Sequence, residues 1–112
     1  MAITFVDVSN YLVFAYGGPD GNAGVDASIS LGIGNAFAFL NFYPEGSLLP
    51  PNSKSIHGPT GYPIFYVRYR YAQFANIVDL LRNENPIKFF FNDTNLASYL
   101  TTSQEPVGEG ES

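Results

Sequence analysis

Residues 25–33, with the sequence VDASISLGI, decide the class of fold, because apolar side chains alternate strictly with polar residues or glycine. Successive side chains of a β-strand point to opposite faces, so the alternation predicts a strand that is buried on one face only. The residues expected on the buried face are Val25, Ala27, Ile29, Leu31 and Ile33. The chain is therefore expected to form a sheet of which this strand is a half-buried member.

Further strands are expected on both sides of this segment. Residues 11–16 (YLVFAY) are β-branched and aromatic, and the glycine-rich residues 17–24 that follow predict the turn of a hairpin. Residues 36–43 (AFAFLNFY) are largely apolar on both alternating faces, which is typical of a strand that is covered on both sides or lies at a subunit contact. Residues 44–63 contain five prolines without a steady period, and predict a long loop.

One helix is expected, in residues 72–85 (AQFANIVDLLRNEN). Its apolar residues have helical spacing and are Phe74, Ile77, Val78 and Leu81. Pro86 disfavours the helical conformation in the residue before it and so ends the helix. Residues 87–91 (IKFFF) and 97–102 (ASYLTT) predict a final pair of strands.

The predicted order is about six strands, with one amphipathic helix before the last two. We expect an α+β fold of mostly antiparallel strands, in which a curved sheet or a small barrel packs on that helix. Residues 1–103 are expected to form a single α+β domain, and residues 104–112 an acidic, flexible C-terminal tail.

The composition is that of a globular protein with few charges and many aromatic rings. Aromatic residues make up 16% of the 112 residues and charged residues 13%. Ten acidic residues against five basic ones give a net charge of −5, which disfavours binding to nucleic acid. The lack of cysteine excludes disulfides and thiolate metal sites. Without a signal-peptide pattern or a membrane-length apolar stretch, we expect a cytoplasmic protein with no membrane partner.

Residues 66–71 (YVRYRY) mix arginine with tyrosine, as nucleic-acid-binding surfaces also do. Strand alternation separates the two types, because it places Tyr66, Arg68 and Arg70 on one face. The other face, expected to point to the core, carries Phe65, Val67, Tyr69 and Tyr71. Only Tyr66 then shares a surface with the arginines, so nucleic-acid binding is disfavoured. The arginines are expected to lie exposed to solvent or at an interface with a partner.

Two further residues are candidates for contact with a ligand or partner. His57 is the only histidine and lies in the proline-rich segment. Phe90 shares a strand face with Lys88 and Asn92, so its ring is expected to be exposed. No nucleophile, phosphate-loop or metal-binding motif accompanies these residues, and we expect no catalytic residue, no cofactor and no metal.

These features favour a non-enzymatic binding or assembly module. Such a module would form a homo-oligomer or contact a partner protein through the aromatic-rich strands 36–43 and 87–91. The alternative is a small-molecule-binding barrel or cup, with an aromatic-lined pocket for a small apolar ligand. Its polar contacts would come from Tyr66, Tyr69, Tyr71 and His57. A single-stranded nucleic-acid binder and an enzyme are less favoured alternatives.

Overall fold

The computed structural model describes residues 2–102, within which the chain forms eight strands and one α-helix. In chain order the elements are β1 (Ile3–Asp7), β2 (Asn10–Ala15), β3 (Ala27–Gly32), β4 (Phe37–Tyr43), β5 (Ser53–Ile56), β6 (Pro63–Arg70), a 3-10 turn (Tyr71–Gln73), α1 (Phe74–Asn83), β7 (Ile87–Asn92) and β8 (Ser98–Thr102). The expected acidic tail, residues 104–112, lies outside the described residues, and the single domain stays a prediction.

The strands form two sheets, which confirms the α+β class and the mostly antiparallel pairing. One sheet has the order β1-β7-β8 and is antiparallel throughout. The other has the order β2-β3-β4-β6-β5, in which only β4 and β6 run parallel. The expectation of a small barrel is wrong, because the described strands separate into two open sheets instead of closing on one another.

The core lies between the two sheets and is closed at one end by α1. Phe65 of the larger sheet has its ring centre 5.5 Å from that of Phe89 and 4.8 Å from that of Phe91, both on β7. Phe42 meets Phe74 of α1 edge-on at 5.1 Å. The apolar face predicted for residues 25–33 is confirmed, because all five of its side chains are buried. The inner faces of both sheets and one stripe of α1 thus share a single core.

The predicted helix is confirmed, and its apolar stripe faces the core. Leu81 is buried, and the three other apolar residues predicted for the stripe pack partly against the core. The helix ends at Asn83, because Glu84 adopts an extended conformation while its N–H donates to the carbonyl of Leu80. Within residues 2–102, no helix is both long and apolar enough to cross a membrane.

The described chain contains two strands more than the six expected. β1 has five residues and pairs along its whole length with β7, with Ile3 opposite Asn92. β5 has four residues and interrupts the segment 44–63, which was expected to be a loop throughout. It is a polar edge strand paired antiparallel with β6, and prolines flank it without falling inside it. β5 (SKSI) has no hydrophobic period that would reveal it, whereas residues 3–6 of β1 (ITFV) are β-branched or aromatic and were an available strand signal.

Candidate functional site

The outer side of the five-stranded sheet faces away from the core that the two sheets and α1 share among residues 2–102. We call this side the open face. Along β4, buried and half-buried residues alternate: Phe42 and its inward neighbours are fully buried, whereas Phe37, Phe39 and Tyr43 on the open face are half-buried. The two-sided apolarity of this segment thus has two causes, a core face and an aromatic surface.

Aromatic rings meet across the strands of the open face. Phe39 on β4 lies opposite Tyr66 on β6, and the two rings stack with their centres 5.8 Å apart. Phe37 contacts the hairpin between β5 and β6, with ring centres 5.0 Å from His57 and 6.1 Å from Tyr62. The two central strands and this hairpin therefore form one continuous aromatic surface.

The two arginines of β6 bind the chain that borders the open face. Arg68 Nη1 donates to the carbonyl of Pro51 at 2.9 Å and to the hydroxyl of Ser53 at 2.8 Å, while its guanidinium carbon lies 5.3 Å from the ring centre of Tyr66. Arg70 Nη1 donates to two backbone carbonyls, those of Pro44 and Ser47. Both arginines are half-buried, and they fasten residues 44–52 to the sheet instead of extending into solvent.

Phe90, the remaining candidate, lies on the far side of the molecule. On the outer side of the three-stranded sheet its ring stacks on Tyr99 at 4.4 Å and meets Phe5 edge-on at 6.5 Å. We call Phe5, Phe90 and Tyr99 the aromatic row. Phe5 is 50% exposed and Tyr99 is 47% exposed. The sequence reveals neither of them as a candidate, because only the pairing of β7 with β1 on one side and β8 on the other brings them beside Phe90.

The tyrosines after Tyr66 do not gather into the expected pocket. Tyr69 lies on the inner face, stacked on Phe42 at 5.3 Å, and burial raises the pKa of its hydroxyl. Tyr71 was expected to point to the core, which is wrong: β6 ends before it, and its side chain is 43% exposed in the 3-10 turn. Since Tyr66 and His57 lie on the open face, these four residues do not converge on a common space.

His57 has an aromatic and a hydroxyl neighbour. Its Nδ1 lies 2.8 Å from Oγ1 of Thr60, and its ring packs against Phe37. The backbone N–H of His57 donates to Tyr62 at 2.8 Å, which closes the hairpin between β5 and β6. Within residues 2–102, no three His, Cys, Asp or Glu side chains come together as a possible metal site. These contacts give His57 a role in holding the hairpin against the open face.

A groove of about 400 Å³ lies elsewhere, between the connection of β1 with β2 and the C-terminal end of α1. Its walls include Tyr11, Arg82 and Glu84. None of the five candidate residues lines it. Its lining is mixed in polarity and contains one aromatic ring, so it does not have the aromatic character expected of the alternative pocket.

The edge strand β2 is a further surface that the sequence analysis missed. Leu12 is 58% exposed, Val13 37% and Phe14 40%, so large apolar side chains are accessible on both faces of this strand. No strand within residues 2–102 pairs with its outer side. The available signal was the run NYLVFAY, residues 10–16, which contains neither a charged residue nor a proline.

Comparison of the chain with models of known protein families, with curated proteins and with solved structures returned no match.

Proposed function

We propose that this protein is a non-enzymatic assembly module that associates with further copies of itself through uncovered surfaces of its sheets. The observation that carries this proposal is the exposure of large apolar side chains on regular strands. The most exposed of these are Ile3, Phe5, Leu12, Val13, Phe14, Ile56 and Tyr99. Burial of apolar surface is the main driving force of protein association.

The exposed side chains are grouped on the strands. Phe5 and Tyr99 flank Phe90 in the aromatic row, and Leu12 to Phe14 are consecutive on β2. Contiguous apolar patches on rigid strands are typical of interaction sites, whereas single exposed apolar residues are common on any protein. The grouping therefore supports an assembly role for the sheets.

Nucleic-acid binding is not favoured, because the arginines of the open face and Lys54 on the other face of the sheet already have partners. Arg68 and Arg70 donate to backbone carbonyls of residues 44–52. Lys54 on β5 forms an ion pair with Asp93 at 2.7 Å. A surface that binds a polyanion needs cations whose donors can reach phosphates. The aromatic rings of the open face are thus better suited to protein contacts.

Sedimentation velocity over micromolar to submillimolar concentrations tests the proposal. We expect the weight-average sedimentation coefficient to rise with concentration as oligomers form. Added salt should not weaken this association, since apolar burial is not screened by ions, whereas contacts between exposed charges are. A sedimentation coefficient that stays at the monomer value over the whole range would overturn the proposal.

A further inference from the structure

β2 lacks the features that usually prevent an edge strand from pairing with another chain. Protected edges are short, or carry charges and prolines. The opposite edge of the same sheet, β5, has four residues, includes Lys54 and is preceded by Pro51. β2 has six residues without charge or proline, and three consecutive large apolar side chains on it are exposed. The two edges of one sheet thus differ in how open they are to a further strand.

The hydrogen-bonding groups on the open side of β2 can be assigned from its pairing with β3. Tyr16 donates its N–H to the carbonyl of Asp26 at 3.0 Å, and these two residues continue the register of the two strands. In an antiparallel pair, every second residue bonds to the neighbouring strand. Leu12 and Phe14 therefore bond to β3. The N–H and C=O groups of the intervening residues, Tyr11, Val13 and Ala15, point away from the sheet.

We propose that β2 pairs antiparallel with β2 of a second copy, about a two-fold axis at Val13. This proposal rests on the assembly function proposed above and names its interface. The three outward residues are spaced symmetrically about Val13, so Val13 meets its own copy while Tyr11 of each chain meets Ala15 of the other. Each such pair is of the type that exchanges two hydrogen bonds in an antiparallel ladder. All outward groups of the strand then find partners.

The side chains match in the same register. On the open face, Leu12 of each copy lies opposite Phe14 of the other. On the inner face, the two Val13 side chains meet beside Tyr11 and Ala15. Cross-strand pairs of apolar side chains stabilise a sheet, and this pairing places no two like charges opposite each other on β2.

A second copy is therefore the occupant that the strand fits best. A two-fold contact uses the same patch on both chains, so the patch must complement itself. β2 meets this condition in its hydrogen-bonding groups, in its side chains and in its lack of charge. A strand of another protein would need the same spacing of apolar side chains and hydrogen-bonding groups, provided by a different sequence.

A charge placed at the axis tests the interface. Val13→Lys puts two ammonium groups directly opposite each other and removes two apolar side chains from the contact, so we expect the dissociation constant to rise roughly tenfold or more. Leu48→Lys introduces the same charge in the segment between β4 and β5, outside every strand, where Leu48 is 89% exposed, and should leave association unchanged. Both positions are accessible, and circular dichroism should show that both variants keep the wild-type fold.

A disulfide tests the register. The chain contains no cysteine, so Val13→Cys introduces a single thiol. Bonded antiparallel pairs have Cα atoms about 5.5 Å apart, which lies within the range that a disulfide spans. We expect mild oxidation to link two Val13→Cys chains rapidly, and chains with the control Leu48→Cys much more slowly under the same conditions.

The outcomes separate this inference from the proposed function. A wild-type protein that stays monomeric overturns both. Self-association that Val13→Lys does not weaken, together with slow cross-linking of Val13→Cys, overturns the β2 interface while the assembly function stands, and points to the aromatic row or the open face. Selective weakening by Val13→Lys with rapid cross-linking of Val13→Cys supports the interface and its register.

Discussion

Phe65 joins the two sheets through a single ring. The ring is fully buried and contacts Phe89 and Phe91 of the opposite sheet. Its removal in Phe65→Ala leaves a cavity between the sheets, and we expect the free energy of unfolding to fall by about 3–5 kcal/mol. Urea denaturation followed by circular dichroism measures this loss.

Leu48→Ala is the matched control for Phe65→Ala, because Leu48 is 89% exposed. An exposed position of this kind should change the free energy of unfolding by no more than about 0.5 kcal/mol. If both variants lost the same small amount of unfolding free energy, the buried ring of Phe65 would not contribute substantially to the stability of the packed sheets.

Tyr69 makes stability depend on pH in the alkaline range. Burial raises the pKa of its hydroxyl above the usual 10.0, so the folded chain holds this proton to a higher pH than the unfolded chain does. The stabilisation is complete below the unfolded pKa and is lost as the pH rises through the folded pKa. We expect the free energy of unfolding to fall less steeply in Tyr69→Phe than in wild type between about pH 9 and pH 11.

The pH dependence of the two chains can be compared by urea denaturation at each pH. Tyr69→Phe keeps the ring that stacks on Phe42 and removes only the ionising group. Parallel pH curves for wild type and variant would show that this hydroxyl is not responsible for the alkaline loss.

At the residue scale, strand alternation predicted the direction of most side chains in β6. Phe65 and Val67 point to the core, while Tyr66 lies on the open face, as expected. Two things could not be read from the sequence. The end of the strand turns Tyr71 outward, and the path of residues 44–52 supplies the carbonyls that bind both arginines. Both depend on chain geometry beyond the local pattern.

At the scale of elements, Asn52 connects three segments of the chain. Its Oδ1 accepts the backbone N–H of Arg68 at 2.8 Å, and its Nδ2 donates to the carbonyl of Leu96 at 2.9 Å. Asn52→Ala leaves these part-buried groups without their partners, and we expect it to cost about 1–3 kcal/mol of the free energy of unfolding. Thermal or urea denaturation of the variant measures this loss.

Ser55→Ala on the neighbouring strand serves as the control for Asn52→Ala, because Ser55 is exposed. A stability loss in Asn52→Ala no larger than that in Ser55→Ala would mean that water replaces the side chain without cost. A larger loss would identify Asn52 as a fastening point between β6 and the turn that joins β7 to β8.

The elements that the sequence predicts are those with a sustained hydrophobic period. β3 alternates between apolar and polar or glycine residues along its whole length, and α1 has apolar residues at helical spacing from Phe74 to Leu81. Both elements were confirmed. β5 is polar and has no hydrophobic period, and the four β-branched or aromatic residues of β1 do not show which strand it joins, so both strands depend on pairing with β6 and β7. Tertiary context therefore decides these two strands.

At the scale of the whole molecule, the sequence does not determine how the strands divide between sheets. Each strand predicts only which of its own faces is apolar, and that pattern is compatible with one curved sheet, a barrel or two packed sheets. The parallel pairing of β4 with β6 places β5 at an edge, and β1 joins β7 instead of its neighbour β2. Such long-range pairings leave no mark in a local pattern.

The same limit applies to the candidate site. Residue type alone indicates four of the candidates, and the fold brings all four to the open face: Tyr66, Arg68, Arg70 and His57. Strand alternation predicts that Phe90 is exposed, but its ring is half-buried against Tyr99, and the fold places it on the other side of the molecule. Residue type and alternation can therefore suggest which side chains are accessible, but the surface they share depends on the order of strands in the sheets.

The pairing of β1 with β7 has a consequence for the order in which the molecule is built. β1 precedes every other described strand in the chain, yet its partner lies after the helix, with Ile3 opposite Asn92. The ribosome synthesises β2 to β6 and the helix before β7, which is the partner of β1. Contacts between segments so far apart in the chain form slowly, because a long loop must close first. During synthesis, the side chains of Ile3 and Phe5 therefore lack their neighbours on β7 until the helix and β7 have been made.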